Sequence, residues 1–184
     1  MNFSGTTDPI SQLQQFARLQ LGVYPTPLEE AQNFRQALGE DAPRIFLKRD
    51  DYTGPGFGGN KVRKLEYFLA QAIADQAQAV ITIGGIKSNH CRVTAAFCAK
   101  LELRCILVLN TPALPPHKPA RLFVDELYGA EIHLVQSREE RKATLQRLAQ
   151  QLRDDGVNVC EVPLGASTPL GALGYVSAMQ ELAG

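Results

Sequence analysis

The sequence carries no surplus of charge of either sign: 19 Lys and Arg stand against 19 Asp and Glu, a formal net charge of zero. That balance gives neither nucleic acid nor an anionic membrane an electrostatic reason to bind. Long apolar runs are missing as well. No stretch approaches the ~20 residues that span a bilayer, and residues 1–20 hold no apolar core of the kind a secretory leader carries. A cytoplasmic location is therefore expected. The four cysteines, Cys91, Cys98, Cys105 and Cys160, form no C-x-x-C pair and no metal-ligand spacing with the three histidines, so no zinc site is expected. Cys91 and Cys98 are seven apart on one predicted helix face, and Cys105 and Cys160 lie in apolar strands. Cys98, Cys105 and Cys160 thus read as packed core thiols. The chain shows no internal repeat and no low-complexity tract.

What is present is an alternation of strands and helices. Residues 44–48 read as a strand, followed by a Gly-rich loop and a helix that starts near Val62. Strands are predicted near 79–83, 104–109, 131–135 and 157–162, with helices near 89–101, 118–128 and 138–155. In the last helix Leu145, Leu148, Ala149 and Leu152 make one apolar face. Repeated βα units of this spacing predict an α/β fold with a parallel twisted sheet. The loop 111–119, with four prolines, ends the strand before it. With 184 residues and 45% apolar side chains, the chain can bury roughly 70% of its unfolded surface, enough for a core.

Chemistry concentrates at Lys61, in Gly58-Gly59-Asn60-Lys61-Val62-Arg63-Lys64-Leu65-Glu66-Tyr67. Leu65, Phe68, Leu69, Ala72 and Ile73 recur at helical spacing and predict one buried stripe. The helix start offers unpaired N–H groups and partial positive charge. A lysine with the ordinary pKa of ~10.4 is about 0.1% neutral near pH 7.4, and only the neutral amine attacks a carbonyl. Lowering that pKa by roughly 2–3 amounts to about 3–4 kcal/mol, which desolvation and nearby cations can supply. Arg63, Lys64 and the helix end are at hand. The plainer alternative is a solvated basic cluster at an exposed helix start.

A second cluster lies where the apolar run 79–83 meets Gly84-Gly85-Ile86-Lys87-Ser88-Asn89-His90 and then a helix. A strand, a Gly-rich turn and a helix start present N–H groups to an anion. These two clusters, with Lys48-Arg49-Asp50-Asp51, resemble the D-cysteine desulfhydrase and 1-aminocyclopropane-1-carboxylate (ACC) deaminase family of fold-type II pyridoxal-phosphate enzymes. Tyr24-Pro25-Thr26-Pro27-Leu28, Pro163-Leu164-Gly165-Ala166-Ser167 and Leu170-Gly171-Ala172-Leu173-Gly174-Tyr175 continue the resemblance in order along the chain.

The resemblance implies a fold-type II, tryptophan synthase beta-like architecture. Residues 1–63 would begin a large cofactor domain, 64–162 would form a small parallel α/β domain, and 163–184 would start the return to the large one. The family's later phosphate-binding Gly/Thr loop has no counterpart, so an N-terminal portion of a longer enzyme is expected. Lys61 resembles the lysine that holds pyridoxal 5'-phosphate and then moves the α-proton. Lys64 resembles the cation on the cofactor phosphate, and Asn89 the amide on its 3′ oxygen. Ser88, Asn89 and His90 resemble the loop whose N–H groups take a substrate carboxylate, with the Ser88 hydroxyl also able to act on substrate.

Local readings stand beside these. Ser88 can simply cap its helix, Asn89 can be an ordinary helix-start residue, and His90 a surface histidine. His117 and His133 attract no role, and Asp50 and Asp51 read as turn-capping residues. The implied activity is a lyase on a small D-amino acid, D-cysteine foremost, giving pyruvate, ammonia and sulfide. ACC deamination is the alternative, and an inactive or non-catalytic module the second. Ser-Asn-His resembles the desulfhydrase-like members, where the deaminases resemble Ser-Asn-Gln. A homodimer is implied for the full-length enzyme.

Overall fold

Two short strands, β1 (Leu28–Glu30) and β2 (Phe46–Lys48), pair antiparallel and flank the helix α1 (Gln32–Leu38). They come from a computed structural model that describes residues 12–39, 41–113 and 119–183. The expected strand over 44–48 is thus confined to its last three residues. Then follow α2 (Lys61–Ala74), β3 (Ala79–Gly85), α3 (Asn89–Lys100), β4 (Arg104–Asn110), α4 (Ala120–Leu127), β5 (Glu131–Val135), α5 (Arg138–Asp154), β6 (Val159–Val162) and α6 (Pro169–Ala183). The predicted strands and helices from 79 to 155 lie within about two residues of these bounds, apart from fraying at their ends. His117 lies outside the described residues.

Strands β3 to β6 form one parallel sheet in the order β5-β4-β3-β6. Its two faces sort by alternate residues. Val80, Cys105, Leu107 and Leu109 pack with Leu65, Leu69, Val93 and Phe97 of α2 and α3. Ala79, Ile81, Ile106 and Val108 pack with Leu145, Ala149 and Leu152 of α5. Cys91, Cys98 and Cys105 are buried as free thiols, whereas Cys160 is only partly covered because it sits on the edge strand β6. The chain leaves β3 toward β4 and β5, then returns to the other side of β3 as β6. A reversal of this kind opens a crevice beyond the strands' C-terminal ends.

Helix α2 is more buried than one stripe predicts. Leu65, Leu69 and Ala72 are buried as expected and Phe68 partly so, but Ile73 is exposed. Arg63, Glu66, Tyr67 and Ala70 are also buried. The reason is α6, which lies against this second face through Gly171, Gly174, Ser177 and Ala178. Backbones come so close that a Cβ on Gly174 would sit 2.3 Å from the Arg63 carbonyl oxygen. The Tyr67 and Ser177 hydroxyls share a 2.6 Å hydrogen bond across the contact. Glu66 ties down the incoming N-terminal segment. Its carboxylate accepts from Arg18 Nε at 2.8 Å and from the backbone N–H of Leu21 and Gly22 at 2.9 and 2.7 Å.

Candidate active site

Lys61 is the first residue of α2, and the loop before it is closed from within. The buried Thr53 hydroxyl donates to the Asp50 carbonyl at 2.7 Å and accepts the Gly59 N–H at 3.0 Å. The Gly59 N–H also reaches the Asp50 carbonyl at 2.8 Å. Asp50 therefore shapes this turn with its backbone, and the side-chain cap expected of it is not made. Its carboxylate is spent on Arg63, and that of Asp51 pairs with Arg49 at 2.7 Å.

Neither basic neighbour of Lys61 is an idle surface charge. Arg63 is fully buried in ion pairs with Asp50 and Glu181. Lys64, half-buried, donates to the Ser167 hydroxyl at 3.0 Å. Burial, and after it the Lys64 ammonium, lower the Lys61 pKa from its ordinary value. The expected direction holds, with burial and Lys64 as its causes and Arg63 not among them. The Arg63 charge is neutralised by its carboxylates, so Lys64 is the cation Lys61 feels.

Above the two lysines runs the turn after β6, residues 163–167. Gly165 there has φ of 68°, and a Cβ on it would lie 3.5 Å from Lys61 Cε and 3.9 Å from Nζ. The turn thus covers the lysine chain while leaving it room, and the C-terminal end of β6 and the start of α2 meet at one point. Sequence reading assigned Gly165 and Ser167 no individual role. Their signal was the Gly-x-Ser run after a strand, within the 163–167 stretch that continues the family resemblance.

The second cluster lies at the C-terminal end of neighbouring β3. Ser88 caps α3, its hydroxyl oxygen accepting the Cys91 N–H at 3.2 Å. The cap leaves the hydroxyl proton free to donate elsewhere. Asn89 and His90 are the first two residues of α3, so their N–H groups have no carbonyl a turn earlier in the helix. Asn89 is exposed, and its side-chain oxygen accepts from Arg92 and Arg121 at 3.1 and 2.5 Å. His90 is not the surface residue its isolated position suggested. Its imidazole is buried, with Nε2 at 2.9 Å from the Thr82 hydroxyl. Burial first, then the Lys61 and Lys64 charges, push its pKa down to about 3, so the ring is neutral. That electrostatic reach also ties the lysine cluster to the Ser-Asn-His turn. Sequence reasoning missed Arg92 and Arg121; the former is visible as an i, i+3 partner of Asn89, the latter lies 32 residues away.

Among the described residues no group of His, Cys, Asp and Glu could hold a metal ion, and no helix is long and apolar enough to cross a membrane. A family model described as pyridoxal-phosphate dependent enzyme matches residues 19–183. A crystal structure of an ACC deaminase homologue matches at 34% identity with a TM-score of 0.86, covering 96% of this chain and 54% of that one. An L-serine ammonia-lyase from the fungus Rhizomucor miehei matches at 20% identity and TM-score 0.66, over 91% of this chain and 47% of the other. Diaminopropionate ammonia lyase from Escherichia coli matches at 19% and 0.68, over 98% and 55%. The last two likenesses are of fold. The chain spans about half the length of each of these structures.

Proposed function

Because the chain belongs to the family of pyridoxal-phosphate dependent enzymes, we propose that it supplies the lysine-bearing part of a lyase acting on a small amino acid, D-cysteine before others. The observation that carries this reading is Lys61, with its pKa lowered by burial and Lys64, beneath the Gly165 turn.

The residues at hand fit the cofactor's chemistry. An aldehyde needs an amine, and Lys61 is one with a reduced cost of losing its proton. A phosphate needs a cation and donors, and Lys64 stands beside the Ser167 hydroxyl at 3.0 Å. A ring oxygen needs a donor, which the Asn89 amide has to offer. A bulky side chain in place of Gly165 would fill the space beside Lys61, and glycine keeps it open. When bound, pyridoxal phosphate supplies an electron sink for the carbanion left by α-proton removal.

This chain's own residues do the rest. With cofactor and substrate bound, the Lys61 amine would be the base at hand to take the α-proton. The Asn89 and His90 N–H groups at the start of α3 are donors for the substrate carboxylate, aided by the helix end. The Ser88 hydroxyl retains a proton to give to substrate. Loss of a β-thiolate from D-cysteine, followed by hydrolysis, yields sulfide, pyruvate and ammonia. The likeness to an ACC deaminase homologue favours a second reading, ring opening of ACC to 2-oxobutyrate and ammonia. The two-domain division at 63/64 and 162/163, a cytoplasmic location and a homodimer belong to the same proposal.

Titration with pyridoxal 5'-phosphate, followed by visible absorption, tests the reading. We expect a band that Lys61→Ala abolishes; no band, in this chain or in a longer one containing it, removes both enzyme readings. Parallel incubation with D-cysteine and ACC, reading sulfide against 2-oxobutyrate, separates the two reactions. A band without either product leaves a cofactor-binding, non-catalytic module.

A further inference from the structure

The Asn89 amide is held in one orientation. Its Oδ1 accepts from Arg92 Nη1 at 3.1 Å and from Arg121 Nη1 at 2.5 Å. Two donors occupy both lone pairs of the amide oxygen. Turning the amide over would lose both bonds and set its N–H groups against two guanidiniums, which can only donate. The network therefore fixes which end is which. The end turned away from the arginines is Nδ2, a donor.

Each arginine is anchored apart from Asn89. Arg92 is 8% exposed, donates through Nε to the Gly56 carbonyl at 2.6 Å, and lies 5.3 Å from the centre of the Phe57 ring. It thus joins α3 to the glycine loop that leads into Lys61. Arg121, on α4, gives its Nη1 to the Lys87 carbonyl at 2.7 Å as well as to Asn89. It thus fastens the β3–α3 turn to α4. The buried Asp125 carboxyl lies within electrostatic reach of both guanidiniums and offsets part of their charge. An amide backed by two cations has a polarised N–H end, suited to an anionic acceptor rather than a neutral hydroxyl.

We propose that Arg92 and Arg121 are positioning residues that lock Asn89 as a donor toward an ionised ring oxygen of the bound cofactor. The proposal rests on the cofactor reading above and goes beyond it. It assigns the arginines a role through Asn89, without direct contact to cofactor or substrate. It also makes the site selective for the ionised form of a hydroxyl beside an aldehyde.

A double-mutant cycle tests it, with pyridoxal 5'-phosphate as the probe and the full chain as the protein. Arg121 is only half-buried, so Arg121→Gln is expected to leave the thermal unfolding midpoint nearly unchanged. Arg121→Gln and Asn89→Ala should each weaken cofactor binding about tenfold. Each should also move the spectroscopic ionisation of the bound ring hydroxyl to higher pH. In the double variant the second change should add less than about twofold. Asn89→Asp keeps an acceptor for both arginines and loses the donor, so it should fold with undiminished stability and lose binding at least as strongly. If the two single effects multiply in full, or if Asn89→Asp binds as well as the unsubstituted chain, the proposal is overturned while the cofactor reading stands. If the unsubstituted chain shows no binding at all, the cofactor reading falls and takes this one with it.

Discussion

The Arg63 guanidinium, fully buried in α2, meets the Asp50 carboxylate at 2.7, 2.9 and 3.0 Å. Its other edge takes Glu181 of α6 at 2.7 and 3.1 Å, and its Nη2 also reaches the Thr26 hydroxyl at 3.0 Å. Lys48 of β2 closes the group, 2.7 Å from Glu181 and 2.6 Å from the Thr26 carbonyl. Two cations and two carboxylates from three stretches of chain, 48–50, α2 and α6, thus neutralise one another around Arg63, which stands between Lys61 and Lys64 in sequence. The site lysines stand on a helix turn whose position this cluster sets.

Removing one partner strands a buried charge, at a cost of about 3–5 kcal/mol. Asp50→Ala leaves Arg63 still paired with Glu181 and should fall near the lower end. Arg63→Met strands the Asp50 carboxylate and leaves Glu181 with Lys48 alone, and should be the more damaging change. Urea unfolding midpoints at constant m-value check the order. Equal, small losses from both would mean that the cluster contributes little to the fold.

The same cluster gives the protein an acid limit. Burial favours protonation of Glu181, but hydrogen bonds from Arg63 and Lys48 outweigh it and hold the carboxyl down to about 2. Its folded pKa lies below the unfolded value, so its contribution is complete above about pH 4.5 and is lost as pH falls toward 2. His90 acts with the same sign in a higher window. Burial and the two site lysines hold it at about 3, and the unfolded chain takes up its proton near pH 6.5. Stability should therefore fall on acidification from pH 6.5, first through His90. Unfolding free energy measured against pH should flatten between 6.5 and 4.5 in His90→Asn, and below 4.5 in Glu181→Gln. A His90→Asn profile parallel to the original would show that this histidine is not held neutral.

Close approach of α6 to α2 makes a third expectation. A methyl at Gly174 would meet the Arg63 carbonyl oxygen at 2.3 Å and its carbon at 2.5 Å, both backbone atoms that cannot rotate away. Gly174→Ala should cost about 1–3 kcal/mol or more. It should also weaken cofactor binding, because the displaced backbone lies between Lys61 and Lys64. Met179→Ala, at a residue of the same helix that is 61% exposed, should stay within about 0.5 kcal/mol. Thermal unfolding of the two variants side by side is the measurement.

Local signals made most of the sheet readable in advance. Apolar runs between turns marked β3 to β6, most strongly the central β3 and β4, which are buried on both faces and need no partner-dependent information. The lysine and the Ser-Asn-His turn were readable because glycines and a helix start flag them within ten residues. Contacts between distant segments were not. Arg63 looked like part of a solvated basic cluster because Glu181, 118 residues on, is what buries it. Asp50 looked like a cap because its real partner is 13 residues away across a turn. His90 looked exposed because the covering layer is β3 itself, through Thr82. Periodicity reports which face of an element is apolar. It does not report a polar face that another element will cover.

Ser88 allows its two roles to be separated. As the N-cap of α3 its hydroxyl oxygen serves the Cys91 N–H, so Ser88→Ala should cost about 1 kcal/mol of stability. Ser88→Asp keeps a good cap, and its charge suits the helix N-terminus, so stability should be kept or raised by a few tenths of a kcal/mol. The same charge would repel a substrate carboxylate gathered at that helix end and offers no hydroxyl proton. Ser88→Asp should therefore bind pyridoxal 5'-phosphate yet lose affinity for D-cysteine by tenfold or more, the equivalent of about 1.4 kcal/mol. Thermal unfolding and substrate titration on the cofactor-loaded protein measure the two effects independently. A Ser88→Asp protein that binds D-cysteine normally would reduce Ser88 to a cap and move the carboxylate elsewhere in the site.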